Sequence, residues 1–206
     1  RASKDIPRSN ICVVKLMRQA LTEARLDPDC IALVEDPSRE TATAFMKLSG
    51  YLDVLIPRGG AGLIRSTVEN ATVPVIETGT GNCHVYVDKD ADLEKALPIL
   101  MNAKTQRTSV CNACESLLIH RAVADAFGPA AVKALLEKGV VIHGGETART
   151  WDSRILPATE EDYYKEYLAL ELSVKVVDSA EEAIAHINKY STRHSDCIVS
   201  ENYTSV

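Results

Sequence analysis

The sequence predicts an α/β protein in which short buried strands alternate with helices. Apolar residues recur at helical spacing from Ile11 to Ala24, with charged residues on the opposite face. Short runs of Val, Ile and Leu, such as 52–56 and 73–76, lie between the helical segments. Strands that are separated by helices are typical of a parallel sheet covered by helices.

Turn and cap signals divide the chain into these elements. Asp36 or Ser38 can cap a helix that ends near Gly50, and Asp92 suits the start of a helix at 91–104. Pro98 lies inside that helix, so we expect a kink or a break there, and Gly128–Pro129 can split the helix at 121–138. Further helices are predicted at 62–70 and 180–190, a loop at 144–158, and strands at 31–34, 52–56, 73–76, 83–87, 116–120, 140–142, 172–177 and 197–199.

Composition excludes several classes of protein. The chain has 206 residues, is 46% hydrophobic and 25% charged, and carries a formal net charge of −6. These values suit a globular protein with a core, and no long basic block predicts binding to nucleic acid or to an anionic membrane. No run of 18 apolar residues predicts a membrane span, and the polar start contains no signal-peptide core. Because the chain lacks an initiator Met and ends just after a predicted strand, we expect it to be an internal piece of a longer protein.

Six cysteines favour free thiols over a disulfide framework, as in a cytoplasmic protein. Cys111 and Cys114 form one CxxC pair, but no second pair follows at the spacing of a zinc site. The five histidines show neither HxxxH nor HxH spacing. We therefore expect no metal site.

Three elements can carry chemistry. The turn at 59–62 is rich in glycine and begins a helix, which allows backbone amides to bind a phosphate, although a tight turn explains it equally well. Glu77 follows an apolar strand, where α/β proteins place functional groups, or it lies in solvent. Cys111 lies between a helix and a strand and suits a nucleophile, but a buried structural cysteine is the commoner case, and chemistry alone does not choose between it and Cys114.

Ordered motifs over the whole chain resemble the gamma-glutamyl phosphate reductases, also called glutamate-5-semialdehyde dehydrogenases, of the aldehyde dehydrogenase superfamily. The motifs are VLIPRGGAGLI at 54–64, VPVIETG at 73–79, GNCHVYVD at 81–88, NAKTQR at 102–107, VCNA at 110–113 and ESLLIH at 115–120. TEEDY at 159–163 and residues 199–203 continue the resemblance.

The resemblance implies an aldehyde-dehydrogenase-like fold, with part of a Rossmann-like cofactor domain at 1–77 and part of the α/β catalytic domain at 78–206. It implies NADPH-dependent reduction of gamma-glutamyl phosphate to glutamate 5-semialdehyde and phosphate, the second step of proline biosynthesis, through a cysteine thioester. The complete enzyme is expected to be a cytoplasmic homo-oligomer. The implied catalytic residues are Cys111, Asn112 and Glu77; the implied NADP(H)-binding residues are Arg1, Ser3, Lys4, Gly59, Gly60, Gly62 and Glu166; Arg107 and His194 are implied to bind substrate.

The chain also departs from the family pattern. Ser191 and Arg193 replace glycines that the family usually has, so we expect their side chains to strain that loop. Thr108 and Cys114 are further substitutions near the cysteine nucleophile. Two alternatives stay open: the reductase half of a bifunctional pyrroline-5-carboxylate synthase, and a non-catalytic module that binds NADP(H).

Overall fold

The computed structural model describes residues 6–77 and 79–206, so Arg1, Ser3 and Lys4 lie outside the described residues. The chain divides into two compact units, residues 1–78 and 79–206. No helix in the two described ranges has the length and apolar character to cross a membrane.

The first unit consists mainly of helices. Its elements are α1 (Pro7–Glu23), a 3₁₀ helix (Pro28–Cys30), α2 (Arg39–Phe45) and α3 (Ala61–Asn70). The Ser38 hydroxyl caps α2 by accepting the N–H of Thr41 at 3.1 Å, as the sequence predicts. The helix ends five residues before Gly50, which adopts a φ of +86°.

The three strands predicted in the first unit are wrong as regular strands. Residues 31–34 have no strand structure, and the other two segments contribute only isolated bridges, one between Leu55 and Val75 and one between Ser49 and Leu52. Val34, Ile56 and Ile76 are exposed. The physical reason is that a strand needs a neighbouring ladder for its backbone groups, and the described part of this unit offers none of sufficient length.

The second unit is built on a six-stranded parallel sheet with the order β4-β3-β5-β2-β1-β6. All strands predicted in this unit form. The strands are β1 (Cys83–Val87), β2 (Cys114–His120), β3 (Val141–Gly144), β4 (Leu156–Pro157), β5 (Glu171–Val177) and β6 (Asp196–Val199), and the helices are α4 (Leu93–Thr105), α5 (Arg121–Glu137), α6 (Glu146–Arg149), α7 (Glu160–Tyr164) and α8 (Ala180–Tyr190).

Side chains alternate between the two faces of this sheet. Val85 and Val87 of β1 belong to the main core, which α4 and α5 cover, whereas Tyr86 belongs to a smaller core with Ala183 of α8. This is the period of two that a strand imposes. Both faces are therefore buried, which explains why apolar residues occur on both faces of the central strands.

The break that the sequence allowed at each proline does not occur, while a kink at Pro98 stays a prediction. The helix α4 continues past Pro98, and α5 continues past Pro129. Burial of Leu100 in α4 and of Phe127 in α5 outweighs the loss of one backbone hydrogen bond in each helix. The predicted loop at 144–158 contains α6 and β4.

Candidate active site

The amino ends of the parallel strands bring distant segments of the sequence to one edge of the sheet. We call residues 106–113, which precede β2, the Cys111 loop, and residues 165–168, which lie before β5, the Glu166 segment. Residues 79–82 lead into β1, and residues 191–195 lead into β6. Because all six strands run in the same direction, these four segments all lie at the edge of the sheet where the strands begin.

The Cys111 loop holds its cysteine in an exposed turn while the backbone behind it is enclosed. The Cys111 carbonyl accepts a hydrogen bond from the Cys83 thiol at 3.2 Å. A Cβ on Gly81 would lie 1.6 Å from that same carbonyl oxygen, so only glycine allows this approach. The exposed Cys111 is thus supported from one side and accessible from another.

Burial separates the two cysteines of the CxxC pair. Cys114 and Cys83 are buried, and burial raises the pKa of the Cys114 thiol to about 12 and that of Cys83 to about 11. Both thiols are therefore protonated near neutral pH, and the thiolate is the nucleophilic form. Cys111 is exposed, so its thiol is accessible whereas that of Cys114 is not. The resemblance had already assigned the nucleophile to Cys111, a choice that residue chemistry alone left open.

Glu166 contacts the backbone beside Cys111. The half-buried Glu166 carboxylate accepts the N–H of Gly81 at 2.5 Å. The sequence resemblance implies that Glu166 binds a cofactor ribose, which stays a prediction. In the structure its carboxylate contacts Gly81, the residue that packs behind the Cys111 carbonyl. A hydrogen bond of this kind, with a charged acceptor, is among the stronger ones.

Hydrogen bonds join β6 and the segment before it to β1 and the segment before that. The Asn82 N–H donates to the Thr192 hydroxyl at 3.0 Å, and the His84 N–H donates to the Asp196 carboxylate at 3.0 Å. His194 and Arg107 are both exposed at this edge, on the segments before β6 and β2. The His194 Nδ1 lies 2.9 Å from the Ser195 hydroxyl.

The strain expected in this segment is confirmed at Arg193 and wrong at Ser191. Arg193 adopts a φ of +61°, in the left-handed region that favours glycine. Ser191 has a φ of −66° and a ψ of 147°, which any residue adopts. The Ser191 hydroxyl also donates to Asp196 at 2.8 Å, so this side chain adds a bond to the segment.

The candidate residues of the first unit have their own setting. Gly60 caps α3 and Gly62 lies in its first turn, and a Cβ built on either glycine would meet no atom of the described residues within 4 Å. The start of this ten-residue helix is therefore open to a ligand, and helix starts favour anions. Gly59 precedes the cap, and Glu77 is exposed at the end of the unit.

The structure contains a buried ion pair at the sheet edge that was not predicted from the sequence. The Lys104 ammonium donates to Glu115 at 2.7 Å, and both side chains have 0% exposure. Burial raises the pKa of Glu115, and the hydrogen bond from Lys104 opposes that effect. The available signal was a lysine and a glutamate at the two ends of the Cys111 loop, each beside an apolar run.

Two buried histidines were also missed. His84 and His186 meet edge to face, with ring centroids 5.6 Å apart. Within the described residues, His84 Nε2 and both ring nitrogens of His186 have no hydrogen-bond partner. No group of three or more His, Cys, Asp or Glu residues in these ranges is arranged to hold a metal ion.

Comparison with known proteins identifies the family. The family model for aldehyde dehydrogenases, described as the aldehyde dehydrogenase family, matches residues 3–170. The chain belongs to the aldehyde dehydrogenase family. This membership agrees with an exposed cysteine in a turn at the edge of a parallel sheet.

Within this family, the chain is similar to the gamma-glutamyl phosphate reductase of Thermobifida fusca (strain YX), with 52% identity over 98% of this chain and 48% of the relative. The crystal structure of the gamma-glutamyl phosphate reductase from Thermotoga maritima matches with a TM-score of 0.93 and 46% identity, over 98% of this chain and 49% of that one. The findings confirm the resemblance and the predicted aldehyde-dehydrogenase-like α/β fold. The chain spans about half the length of the curated relatives it matches.

A more distant match supports the fold alone. An engineered glycolyl-CoA reductase, solved with bound NADP+, aligns with a TM-score of 0.69 at 21% identity, over 97% of this chain and 53% of that one. The aldehyde dehydrogenase fold is thus shared with proteins of quite different sequence.

Proposed function

We propose that the protein reduces gamma-glutamyl phosphate to glutamate 5-semialdehyde and phosphate with NADPH, the second step of proline biosynthesis from glutamate. The observation that carries the proposal is the exposed Cys111, whose carbonyl is held by Cys83 and Gly81 at the sheet edge. The similarity to relatives named gamma-glutamyl phosphate reductase supplies the substrate.

The chemistry begins at the Cys111 thiolate. Its sulfur attacks the acyl carbonyl of gamma-glutamyl phosphate, a C–S bond forms, the bond from the acyl carbon to the phosphate oxygen breaks, and phosphate leaves. The backbone N–H of Cys111, next to Asn112, is suited to stabilise the oxyanion that forms during this attack. The product of the step is a thioester on Cys111.

A nicotinamide cofactor, when bound, supplies the hydride that converts the Cys111 thioester to the aldehyde. The open start of α3, with Gly59, Gly60 and Gly62, is suited to its phosphates, because a Cβ at Gly60 or Gly62 meets nothing within 4 Å. Arg1, Ser3, Lys4 and Glu166 are the further candidates for cofactor binding.

The remaining candidates are assigned to the substrate or to proton transfer. Exposed Arg107 and His194 are suited to the anionic groups of gamma-glutamyl phosphate. Glu77 matches the general-base position of hydrolytic relatives, and because phosphate rather than water attacks in the reverse direction, its role as a base is small. The proposal includes a cytoplasmic homo-oligomer as the working form.

The reverse reaction tests this proposal on the intact protein that carries the chain. Reduction of NADP+ by glutamate 5-semialdehyde is measured with and without phosphate, for the wild type, Cys111→Ala and Cys114→Ala. We expect phosphate-dependent activity that disappears in Cys111→Ala and persists in Cys114→Ala. Activity that survives in Cys111→Ala contradicts the nucleophile, and a wild type that binds NADP+ without turnover indicates a non-catalytic binding module.

A further inference from the structure

Two buried charges close the base of the Cys111 loop. Lys104 lies in the last turn of α4 and Glu115 is the second residue of β2, so the loop begins and ends beside their ion pair. Their side-chain atoms lie 2.7 Å apart, and neither side chain is exposed. Such a pair often adds little stability compared with an apolar pair of equal volume. The role of the pair therefore follows from the contacts that its side chains make rather than from its contribution to stability.

The second oxygen of Glu115 faces another segment of the site. Glu115 Oε1 accepts the N–H of Leu168 at 3.4 Å. Leu168 adopts a φ of +54°, a left-handed conformation that is unfavourable for leucine. Strained backbone persists only where the surroundings hold it, and it concentrates at functional sites.

The Glu166 segment also contacts the residue that packs against Cys111. Glu166, two residues before Leu168, accepts the N–H of Gly81 at 2.5 Å. Gly81 in turn packs against the Cys111 carbonyl, where a Cβ would come within 1.6 Å. A continuous series of contacts thus connects Lys104 to Cys111, and it passes through Glu115, Leu168, Glu166 and Gly81.

We propose that Glu115, held by Lys104, is a positioning residue that fixes the Glu166 segment and, through Gly81, the backbone of Cys111. This inference rests on the proposed function, since it assigns Cys111 the role of nucleophile. Glu115 has no exposed surface, so it acts through the backbone that it binds. Its acceptor oxygens, and not the charge of the pair, are the functional feature.

Two matched double variants of the intact protein separate these properties. Lys104→Met with Glu115→Gln removes both charges and keeps an acceptor for the Leu168 N–H, whereas Lys104→Met with Glu115→Leu removes the acceptor as well. We expect the Gln variant to retain kcat within about threefold, because its side-chain oxygen still accepts the Leu168 N–H and the backbone of Cys111 keeps its position. The Leu variant is expected to lose roughly 10- to 100-fold in kcat with little change in KM.

Iodoacetamide alkylation of Cys111 provides a readout that does not require the reductase reaction. We expect the alkylation rate to change in the Leu variant and to match the wild type in the Gln variant. If the wild type shows no reductase activity, the proposed function fails, and alkylation still decides the positioning role. Equal kcat and equal alkylation in the two variants, at equal thermal stability, overturn the inference, as does a loss confined to KM.

A shorter side chain covers the case in which the Leu variant does not fold. Glu115→Asp keeps the charge opposite Lys104 but cannot reach Lys104 and the Leu168 N–H together. We expect a folded protein with kcat reduced about tenfold. A folded Glu115→Asp variant with the kcat and Cys111 alkylation rate of the wild type overturns the proposal.

Discussion

The two units of the chain respond differently to the same kind of sequence signal. In the first unit, apolar runs such as 52–56 and 73–76 form isolated bridges but no ladder, and several of their side chains are exposed. In the second unit, every predicted strand joins a six-stranded sheet with apolar packing on both faces. Periodicity therefore proposes a strand, and hydrogen-bonding neighbours decide whether it forms.

The comparison predicts the largest difference for buried charge. Lys104→Met in the second unit leaves Glu115 buried without its partner, so we expect the free energy of unfolding to fall by about 3–5 kcal/mol. Arg18→Met in the first unit removes a partly exposed partner of Asp29, and we expect a loss of at most about 1 kcal/mol. Urea titration of both variants measures the difference, and similar losses would break the comparison.

A methyl group added to a glycine tests the packing of each unit. A Cβ on Gly128 would lie 2.5 Å from the Trp151 ring, so Gly128→Ala should cost about 3 kcal/mol through overpacking. Gly60→Ala in the first unit adds a Cβ to open space and should change stability by less than about 0.5 kcal/mol. Thermal unfolding checks both, and an unaffected Gly128→Ala variant would contradict the tight contact with Trp151.

Acid should affect the second unit, which contains all five histidines. Burial lowers the pKa of His186 from 6.5 to about 3, so the unfolded chain binds more protons between these values. Protonation of His186 therefore favours the unfolded chain. The free energy of unfolding is not reduced by His186 above about pH 6.5, and it falls as the pH drops toward 3, by about 2 kcal/mol between pH 7 and pH 5. Chemical unfolding across pH measures the slope.

His186→Phe is the matched control for this acid effect. The variant keeps an aromatic ring beside His84 but removes the titrating group, so we expect a shallower dependence on pH. A smaller slope should remain because burial also lowers the pKa of His84. A variant with the slope of the wild type would contradict the assignment to His186.

The smallest effect concerns two arginines in the same strained conformation. Arg25 of the first unit and Arg193 of the second each have a φ of +61°. Arg25→Gly and Arg193→Gly should each stabilise the protein by about 0.5–1 kcal/mol, because the relief of backbone strain exceeds the added freedom of the unfolded chain. Ser191→Gly, at an ordinary φ, should give no gain, and a gain there would show that the strain has been misassigned.

Local signals predicted the fold well where the chain supplied both halves of an interaction. The alternation of Cys83–Val87 and the apolar face of Ala180–Tyr190 correspond to elements that pack in the second unit. Pro98 shows the limit of local rules, since tertiary packing keeps α4 continuous across it. Residue spacing alone cannot register how firmly a helix is held by its neighbours.

The site could be predicted in part. Cys111 and Gly81 lie in motifs that carry the family resemblance, and that resemblance selected Cys111 over Cys114. The burial of Cys114 and the exposure of Cys111 add a physical reason for the choice. The sequence did not predict the ion pair between Lys104 and Glu115, because charged residues usually lie at the surface. Their contact depends on how α4 packs against β2. Pairing across elements is a property of the fold rather than of any local segment.

Ranking the reactivity of the six thiols tests the central claim most directly. The folded intact protein is treated with limiting iodoacetamide near neutral pH, and peptide mass spectrometry follows each cysteine over time with and without glutamate 5-semialdehyde. We expect Cys111 to be labelled fastest, the buried Cys83 and Cys114 to be labelled slowest, and the semialdehyde to protect Cys111. Labelling of Cys111 at the rate of the other exposed cysteines, without protection, would contradict its proposed role as the nucleophile.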